Sequence, residues 1–147
     1  MTHRFHHPSR HRATGFTLLE LLIVLAILGL LAALVVPKLG GKVVDAQVRT
    51  TEVQIVSLSN ALEQFAIDVG RYPSTAEGLG ALVTEPSGLP SGLWNGPYLQ
   101  QNVVPTDSWK NAFVYENNNG QYLIRSLGAD AALGGTGANA DLDNLGS

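Results

Sequence analysis

The chain has 147 residues, of which 45% are hydrophobic, 14% are charged and none is cysteine. A chain of this length allows one small domain. Its charged fraction lies well below the ~25% of ordinary soluble domains, so part of it must be unusually apolar. The absence of cysteine excludes disulfides, thiolate nucleophiles and metal centres with cysteine ligands.

Charge is distributed unevenly along the chain. The first fifteen residues hold three arginines and all four histidines but no acidic residue, whereas the remainder carries six basic and twelve acidic residues, a net charge of −6. This remainder lacks the basic face that nucleic-acid binding needs. It also lacks histidine and cysteine, the commonest general bases and nucleophiles. We therefore expect no nucleic-acid binding, and the groups that remain for catalysis are carboxylates, serine and lysine.

Residues 16–36 form an almost uninterrupted apolar run in which only Thr17, Glu20 and Gly29 break the pattern. As a helix with a rise of ~1.5 Å per residue it would be about 32 Å long, close to the hydrocarbon thickness of a bilayer. A membrane span is favoured over a buried core helix, since a domain this small could hardly surround such an element. Basic residues lie on both sides of the run, so charge alone leaves the orientation of the span open.

A second helical pattern follows, with an apolar stripe along one face of residues 42–69. The stripe residues are spaced alternately four and three positions apart, as one face of an amphipathic helix requires. They are Val44, Val48, Thr51, Ile55, Leu58, Leu62, Phe65 and Val69. Charges beside the stripe are sparse, so we expect it to pack on a small sheet rather than form a coiled-coil seam. Gly70 is typical of a helix carboxyl terminus.

Glycine and proline punctuate the chain after Gly70 and predict short elements joined by turns. A short helix is expected at residues 75–84. Residues 112–115 and 121–126 are strand-like and flank an asparagine-rich turn, which predicts a β-hairpin. The last stretch is rich in glycine, alanine and aspartate and has no apolar period. The expected fold class is α+β, with a long amino-terminal helix packed on a small antiparallel sheet.

Glu20 is a charged residue near one end of the apolar run. Placing it in a membrane costs ~2.5–3.5 kcal/mol on insertion scales, so it should either reach the interface or have a partner. Cleavage of the chain after Gly15 would free the α-amine of Phe16, a cation that could neutralise Glu20 of a neighbouring copy. Such pairs would favour ordered side-by-side packing of the helices.

The basic leader, Gly15-Phe16, Thr17, Glu20 and the apolar helix together resemble the class III signal of type IV pilins and pseudopilins. The resemblance implies that a prepilin peptidase cleaves between Gly15 and Phe16 on the cytoplasmic side of the inner membrane and methylates Phe16. It also implies an orientation with the amino terminus in the cytoplasm.

Two further segments resemble the major pseudopilins of type II secretion systems. One is Gly70-Arg71-Tyr72-Pro73 directly after the helix, and the other is Asp107-Ser108-Trp109-Lys110 before the hairpin, where the family has a DPWG-like sequence. Proline and glycine are thus both missing from the second segment. The family's terminal tryptophan is also missing, since this chain ends in Asn144-Leu145-Gly146-Ser147. Without the resemblance, the aromatic residues of these segments would be interpreted as core.

The resemblance implies a pilin-like fold and a structural, non-enzymatic subunit. Copies of the chain would form a helical filament, the periplasmic pseudopilus, that helps drive folded proteins across the outer membrane. Expected partners are prepilin peptidase, the minor pseudopilins, the inner-membrane assembly platform and, before assembly, the membrane itself. The domains would be a cleaved leader at residues 1–15, a membrane-spanning and filament-core segment at 16–36, and a periplasmic globular domain at 37–147.

Two alternatives remain open from the sequence. The chain could be a type IV pilin or a minor pseudopilin, although surface pilins usually carry a carboxy-terminal disulfide loop that this chain cannot form. It could also be a single-span periplasmic hydrolase that uses a pair of the carboxylates near its carboxyl terminus, although no concave, aromatic-lined site can be inferred.

An acidic loop at about residues 127–143 offers the hard oxygen ligands that suit Ca²⁺. Its composition is also that of a solvated tail, but a small domain without disulfides often needs a metal or another staple. The loop resembles the calcium loop of major pseudopilins, which implies side-chain ligands at Asp130 and Asp141 and a backbone carbonyl ligand at Leu127. The further candidate ligands are Asn139 and Asp143.

Overall fold

The structure is a computed structural model that describes residues 15–146, except for the side chains of residues 35–40. The leader expected at residues 1–15 therefore lies almost wholly outside the described residues. The chain divides into two units, with the boundary between Leu39 and Gly40. A helix, α1, spans Leu18–Val69.

The amino-terminal unit is an apolar helical segment that begins at a polar cap. Thr17 precedes the first residue of α1, and its Oγ1 accepts the N–H of Glu20 at 3.2 Å. This bond satisfies one of the backbone donors that the start of a helix leaves without a partner. Thr17 is therefore the N-cap of the helix.

The apolar side chains that follow the cap are left uncovered by the residues that the structure describes. All side chains of residues 16–34 are exposed. In the part of the chain that the structure describes, no helix has both the length and the apolar character needed to cross a membrane. The last two residues of the span predicted at 16–36 are among those whose side chains are not described, so the span stays a prediction.

The later part of α1 buries the predicted apolar stripe. Its five central members are at most 3% exposed, and they are Thr51, Ile55, Leu58, Leu62 and Phe65. The stripe residues nearer the ends, Val44, Val48 and Val69, are half-buried. Gly70 follows the helix with a φ of 83°, a left-handed conformation that glycine adopts without strain. The amphipathic helix and its glycine terminus are both confirmed.

The segment expected to be a helix at residues 75–84 is instead a turn followed by a short 3-10 helix at Leu79–Leu82. Ser74 and Glu77 form a reciprocal capping box, in which the Ser74 N–H donates to Glu77 Oε2 at 2.6 Å and the Glu77 N–H donates to Ser74 Oγ at 3.2 Å. Gly78 then takes a φ of 61°, which ends the helical conformation after a single turn. The leucines of the 3-10 helix are buried in the core.

Strands β1 (Val114–Asn118) and β2 (Gln121–Ser126) form the expected antiparallel hairpin. The first strand lies further along the chain than the predicted 112–115. The turn contains only Asn119 and Gly120, both with positive φ, as a tight two-residue hairpin turn requires. The two asparagines before the turn therefore belong to the strand, a position that the asparagine-rich pattern had assigned to the turn.

A third strand, β3 (Leu142–Asp143), pairs antiparallel with β2 and gives the sheet order β1-β2-β3. Sequence patterns did not predict it, because two residues are too few to show the alternation of a strand. This strand returns the carboxy-terminal loop to the sheet. Buried side chains of α1, β1 and β2 form one apolar core, so the unit has the expected α+β architecture of a helix on a small antiparallel sheet.

Candidate functional site

The predicted processing and assembly residues lie at the start of α1. Gly15 and Phe16 belong to non-helical chain before the helix, and Phe16 is 79% exposed. Glu20 lies in the first turn and is also exposed, a position where a carboxylate interacts favourably with the helix dipole. Within one copy of the chain, all three residues are open to a processing enzyme or to a neighbouring subunit.

The segment Gly70-Arg71-Tyr72-Pro73 has a structural role. Arg71 donates from Nη1 and Nη2 to the two carboxylate oxygens of Glu77, each at 2.7 Å. These hydrogen bonds are the main reason that the pKa of Glu77 falls to about 2. Tyr72 donates its hydroxyl to Glu63 of α1 at 2.9 Å, and this bond raises the pKa of Tyr72. The segment thus fastens the turn after α1 back onto the helix.

The segment Asp107-Ser108-Trp109-Lys110 forms a turn built around a buried carboxylate. Asp107 is 1% exposed, and its Oδ1 accepts the backbone N–H groups of Trp109 at 3.0 Å and Asn111 at 2.8 Å. Its Oδ2 accepts the hydroxyl of Ser126, at the end of β2, at 2.6 Å. A carboxylate is buried at acceptable cost only when donors surround it in this way.

Ser108 ties this turn to the helix. Its hydroxyl donates to the carbonyl oxygen of Gln47 at 2.8 Å and accepts the hydroxyl of Thr51 at 3.0 Å. Its backbone N–H donates to Thr51 Oγ1 at 3.2 Å. Proline at this place, as in a DPWG-like sequence, would have neither of these donors. Ser108 therefore gives this turn polar contacts with α1 that proline could not form.

The carboxylates predicted to bind calcium lie near the two ends of the loop between β2 and β3. Asp130 is exposed, and its Oδ1 accepts the N–H of Ala132 at 3.2 Å. Asp141 accepts the N–H of Gly134 through Oδ2 at 3.1 Å, whereas its Oδ1 is buried without a hydrogen-bond partner. A buried carboxylate oxygen without a donor is unfavourable. The loop therefore has an oxygen at which a cation would be stabilising.

The backbone of the loop closes tightly on its own 3-10 helix, Gly137–Asn139. A Cβ atom at Gly128 would lie 2.8 Å from the carbonyl carbon of Asn139, and one at Gly135 would overlap the Asn139 carbonyl oxygen. Both glycines also have positive φ. Asn139 thus contributes its backbone to the packing of the loop, and glycine is required on both sides of it.

Asp143 lies on β3 rather than inside the loop. Its Oδ2 pairs with Arg125 at 3.3 Å, and its Oδ1 accepts the N–H of Leu145 at 3.0 Å. Among the described residues there is no group of three or more His, Cys, Asp or Glu side chains that could hold a metal ion. The Asp143 carboxylate is thus engaged on the sheet, whereas Asp130 and Asp141 lie in the loop itself.

Sequence reasoning identified Asp107 as part of a family segment but missed its partner. Ser126 lies 19 residues further along the chain, and a single serine at the end of a strand carries no local signal. The bond from Asn111 Nδ2 to the carbonyl oxygen of Gly128, at 2.7 Å, was missed for the same reason. Only the meeting of the turn with the end of β2 shows that these residues act together.

A long helix on a small antiparallel sheet, preceded by an exposed Gly-Phe site, defines a pilin-like protein. Residues 38–145 match the family model described as type II secretion system protein G, and residues 10–36 match the prokaryotic N-terminal methylation motif. The chain belongs to the type II secretion system protein G family.

Known proteins that are similar over most of the chain support this assignment. The chain is 40% identical to type II secretion system core protein G of Vibrio cholerae over 90% of this chain and 92% of that protein. It is also 40% identical to the protein of the same name in Pseudomonas aeruginosa, over 92% and 96% of the two chains. The crystal structure of the major pseudopilin from the type 2 secretion system of enterohaemorrhagic Escherichia coli matches with a TM-score of 0.60 at 28% identity, over 75% of this chain and 96% of that chain. The pilin-like fold and the pseudopilin resemblance are confirmed.

Proposed function

We propose that this chain is the structural subunit of the periplasmic pseudopilus of a type II secretion system. Copies assemble into a helical filament that helps drive folded proteins across the outer membrane. The observation that carries the proposal is the match of residues 38–145 to the protein G family, on a fold that a major pseudopilin shares. The role is structural, and no chemical reaction is assigned to the chain.

The apolar start of α1 supports assembly through this helix. Side chains of residues 16–34 are exposed around the whole helix, and such a helix is stable only when lipid or other apolar helices cover it. In our proposal, residues 16–36 span the inner membrane once, with the amino terminus in the cytoplasm and the domain at 37–147 in the periplasm. On assembly the segment leaves the lipid and is buried again against neighbouring copies.

Processing precedes assembly in this proposal. Prepilin peptidase removes residues 1–15 and methylates the new amino terminus at Phe16, consistent with the N-terminal methylation motif matched at residues 10–36. The minor pseudopilins and the inner-membrane assembly platform are the further partners. Mass spectrometry of the membrane-embedded protein tests this step, since the expected mature chain begins with a singly methylated Phe16. An intact leader in cells that contain the peptidase would contradict it.

Glu20 is proposed to pair with the Phe16 amine of the adjacent subunit and to set the axial register of the filament. Glu20→Gln keeps the shape of the side chain and removes its charge. Glu52→Gln is a matched control, because Glu52 is an exposed glutamate further along the same helix. We expect normal insertion and cleavage of both variants, but about tenfold fewer filaments from Glu20→Gln in sheared and sedimented fractions, as a pair worth about 1.4 kcal/mol implies. Normal filaments from Glu20→Gln would contradict the pairing and leave the family role intact.

Calcium is proposed to bind the loop between β2 and β3. The buried, partnerless Oδ1 of Asp141 and the tight loop around Asn139 fit a cation held by Asp130, Asp141 and the carbonyl of Leu127. Ca²⁺ suits this set because it takes several oxygen ligands, backbone carbonyls included, in flexible geometry. The bound ion would link the two ends of the loop and stabilise the domain by mass action.

A further inference from the structure

The turn formed by Asp107-Ser108-Trp109-Lys110, here called the Asp107 turn, is linked to the first residues of the loop between β2 and β3. Ser126 has one hydroxyl hydrogen, and it donates this hydrogen to Asp107 Oδ2 at 2.6 Å. Its oxygen is therefore available only as an acceptor for other groups. The group that it accepts is the backbone N–H of Gly128, at 3.2 Å.

The bond to the Gly128 N–H also sets the direction of the Leu127 carbonyl. These two groups belong to the same peptide unit, which is planar, and in the trans form its N–H and C=O point in opposite directions. Because the Gly128 N–H points at Ser126 Oγ, the Leu127 carbonyl points away from the buried Asp107 network. Leu127 is the residue whose carbonyl is proposed as a calcium ligand.

Asn111 holds the next carbonyl of the same segment. Its Nδ2 donates to the Gly128 carbonyl oxygen at 2.7 Å, while its own backbone N–H is held by Asp107 Oδ1 at 2.8 Å. The N–H of Gly128 is therefore held by Ser126 and its carbonyl oxygen by Asn111, and both of these residues bond to Asp107. Gly128 itself is buried and has no room for a side chain beside Asn139, so the segment has little freedom to reorient in another way.

We propose that Asp107, Ser126 and Asn111 are positioning residues that hold the Leu127 carbonyl in the orientation required for calcium. None of the three contacts the ion in this proposal. Asp107 and Ser126 act through the peptide unit between Leu127 and Gly128, and Asn111 acts through the following unit, whose carbonyl it holds. The proposal rests on the calcium site proposed above. Outer residues that orient metal ligands typically contribute tenfold to a hundredfold to metal affinity.

The test is calcium affinity, measured by isothermal titration calorimetry with calcium chloride on the full chain in detergent micelles. Ser126→Ala removes the acceptor of the Gly128 N–H, and Asn111→Ala removes the donor to the Gly128 carbonyl. Ser108→Ala is the matched control, because Ser108 lies in the same turn but bonds to the helix. We expect a dissociation constant at least about tenfold higher for Ser126→Ala and Asn111→Ala, and an unchanged one for Ser108→Ala.

Melting in EGTA separates positioning from general destabilisation. Ser108→Ala is expected to lower the melting temperature in EGTA without a change in calcium affinity. Ser126→Ala and Asn111→Ala are expected to lower calcium affinity by more than their loss of stability in EGTA accounts for. If the parent chain binds calcium and both Asn111→Ala and folded Ser126→Ala bind it with the same affinity, the positioning proposal is overturned. The calcium site itself would still stand. If Ser126→Ala does not fold, Asn111→Ala alone decides. Absence of calcium binding by the parent chain would overturn both proposals.

Discussion

Asn144 pairs with Ile124 through its backbone and its side chain together. The Asn144 N–H donates to the Ile124 carbonyl oxygen at 3.2 Å, and Asn144 Oδ1 accepts the Ile124 N–H at 2.7 Å. Asn144 Nδ2 also donates to the carbonyl oxygen of Tyr122 at 3.3 Å. The side-chain amide therefore extends the ladder between β2 and β3 by one step. It anchors the carboxy-terminal residues to the sheet.

Replacement of Asn144 by alanine is expected to lower the free energy of unfolding by about 1–2 kcal/mol. The substitution leaves the N–H of Ile124 without its acceptor, and Ile124 is fully buried. Urea unfolding of the full chain in detergent, followed by circular dichroism, measures the loss. Asn118→Ala is the control, since Asn118 is an exposed strand asparagine, and equal effects of the two substitutions would contradict the anchoring role.

Lys110→Gly is expected to stabilise the domain by up to about 1 kcal/mol. Lys110 has a φ of 74°, a left-handed conformation that costs an L-residue with a side chain roughly 1–2 kcal/mol. Glycine avoids this strain, but part of the gain is offset because glycine loses more conformational entropy when the chain folds. The N–H at this position keeps its bond to the Asp107 carbonyl, at 3.1 Å. Urea unfolding gives the difference. Lys110→Ala retains a Cβ and should show no gain, so a gain from alanine as large as that from glycine would point to the lost charge instead.

The Glu77 ion pair predicts a loss of stability in acid. Arg71 holds the pKa of folded Glu77 at about 2, below its ordinary value of 4.5, so the folded state favours the ionised carboxylate. The pair therefore contributes stability above about pH 4.5, and this contribution is lost as the pH falls toward 2. Because the Arg71 side chain is 45% exposed, we expect no more than about 1 kcal/mol. Unfolding free energies of the parent chain and of Glu77→Gln should converge over this range, and parallel pH profiles would contradict the prediction.

Calcium is expected to raise the melting temperature of the parent chain relative to EGTA, since an ion that binds only the folded state stabilises it. Asp141→Asn and Asp130→Asn should each abolish most of this rise. Asp143→Asn tests whether Asp143 acts on the sheet and not in the calcium site, because Asp143 pairs with Arg125 on the sheet. That substitution should lower the melting temperature in calcium and in EGTA alike. A calcium-dependent rise that Asp141→Asn leaves intact would contradict the proposed site.

The elements predicted correctly from the sequence are those defined by contacts between residues close along the chain. The stripe from Val44 to Val69 has the period of a helix, so its buried face could be identified before any partner was known. Gly70 ends the helix because glycine accepts positive φ. The hairpin was predicted from two apolar runs around a turn, with an error in the first strand because Asn117 and Asn118 pair in the ladder.

The family resemblance was also carried by local sequence. Gly15, Phe16 and Glu20 stand at fixed distances from an apolar run, and this order identifies a pilin-like signal without any knowledge of the fold. The role of the loop carboxylates was less evident from composition, since aspartate and glycine are also common in solvated tails. The buried Oδ1 of Asp141 distinguishes that residue from a tail residue, and burial depends on the folded chain.

Only the tertiary structure decided how the distant parts of the domain are fastened together. The bond between Asp107 and Ser126, the contacts of Ser108 with α1 and the pairing of Asn144 with Ile124 join residues 19 to 61 positions apart. A single polar residue has no period, so its sequence context does not indicate which donor or acceptor it will meet. Burial makes these pairings necessary, because a polar group removed from water must find its partner inside the protein. The sequence therefore determined the helix, the hairpin and the signal, and the packing of those elements determined which polar residues hold the turn, the loop and the carboxyl terminus in place.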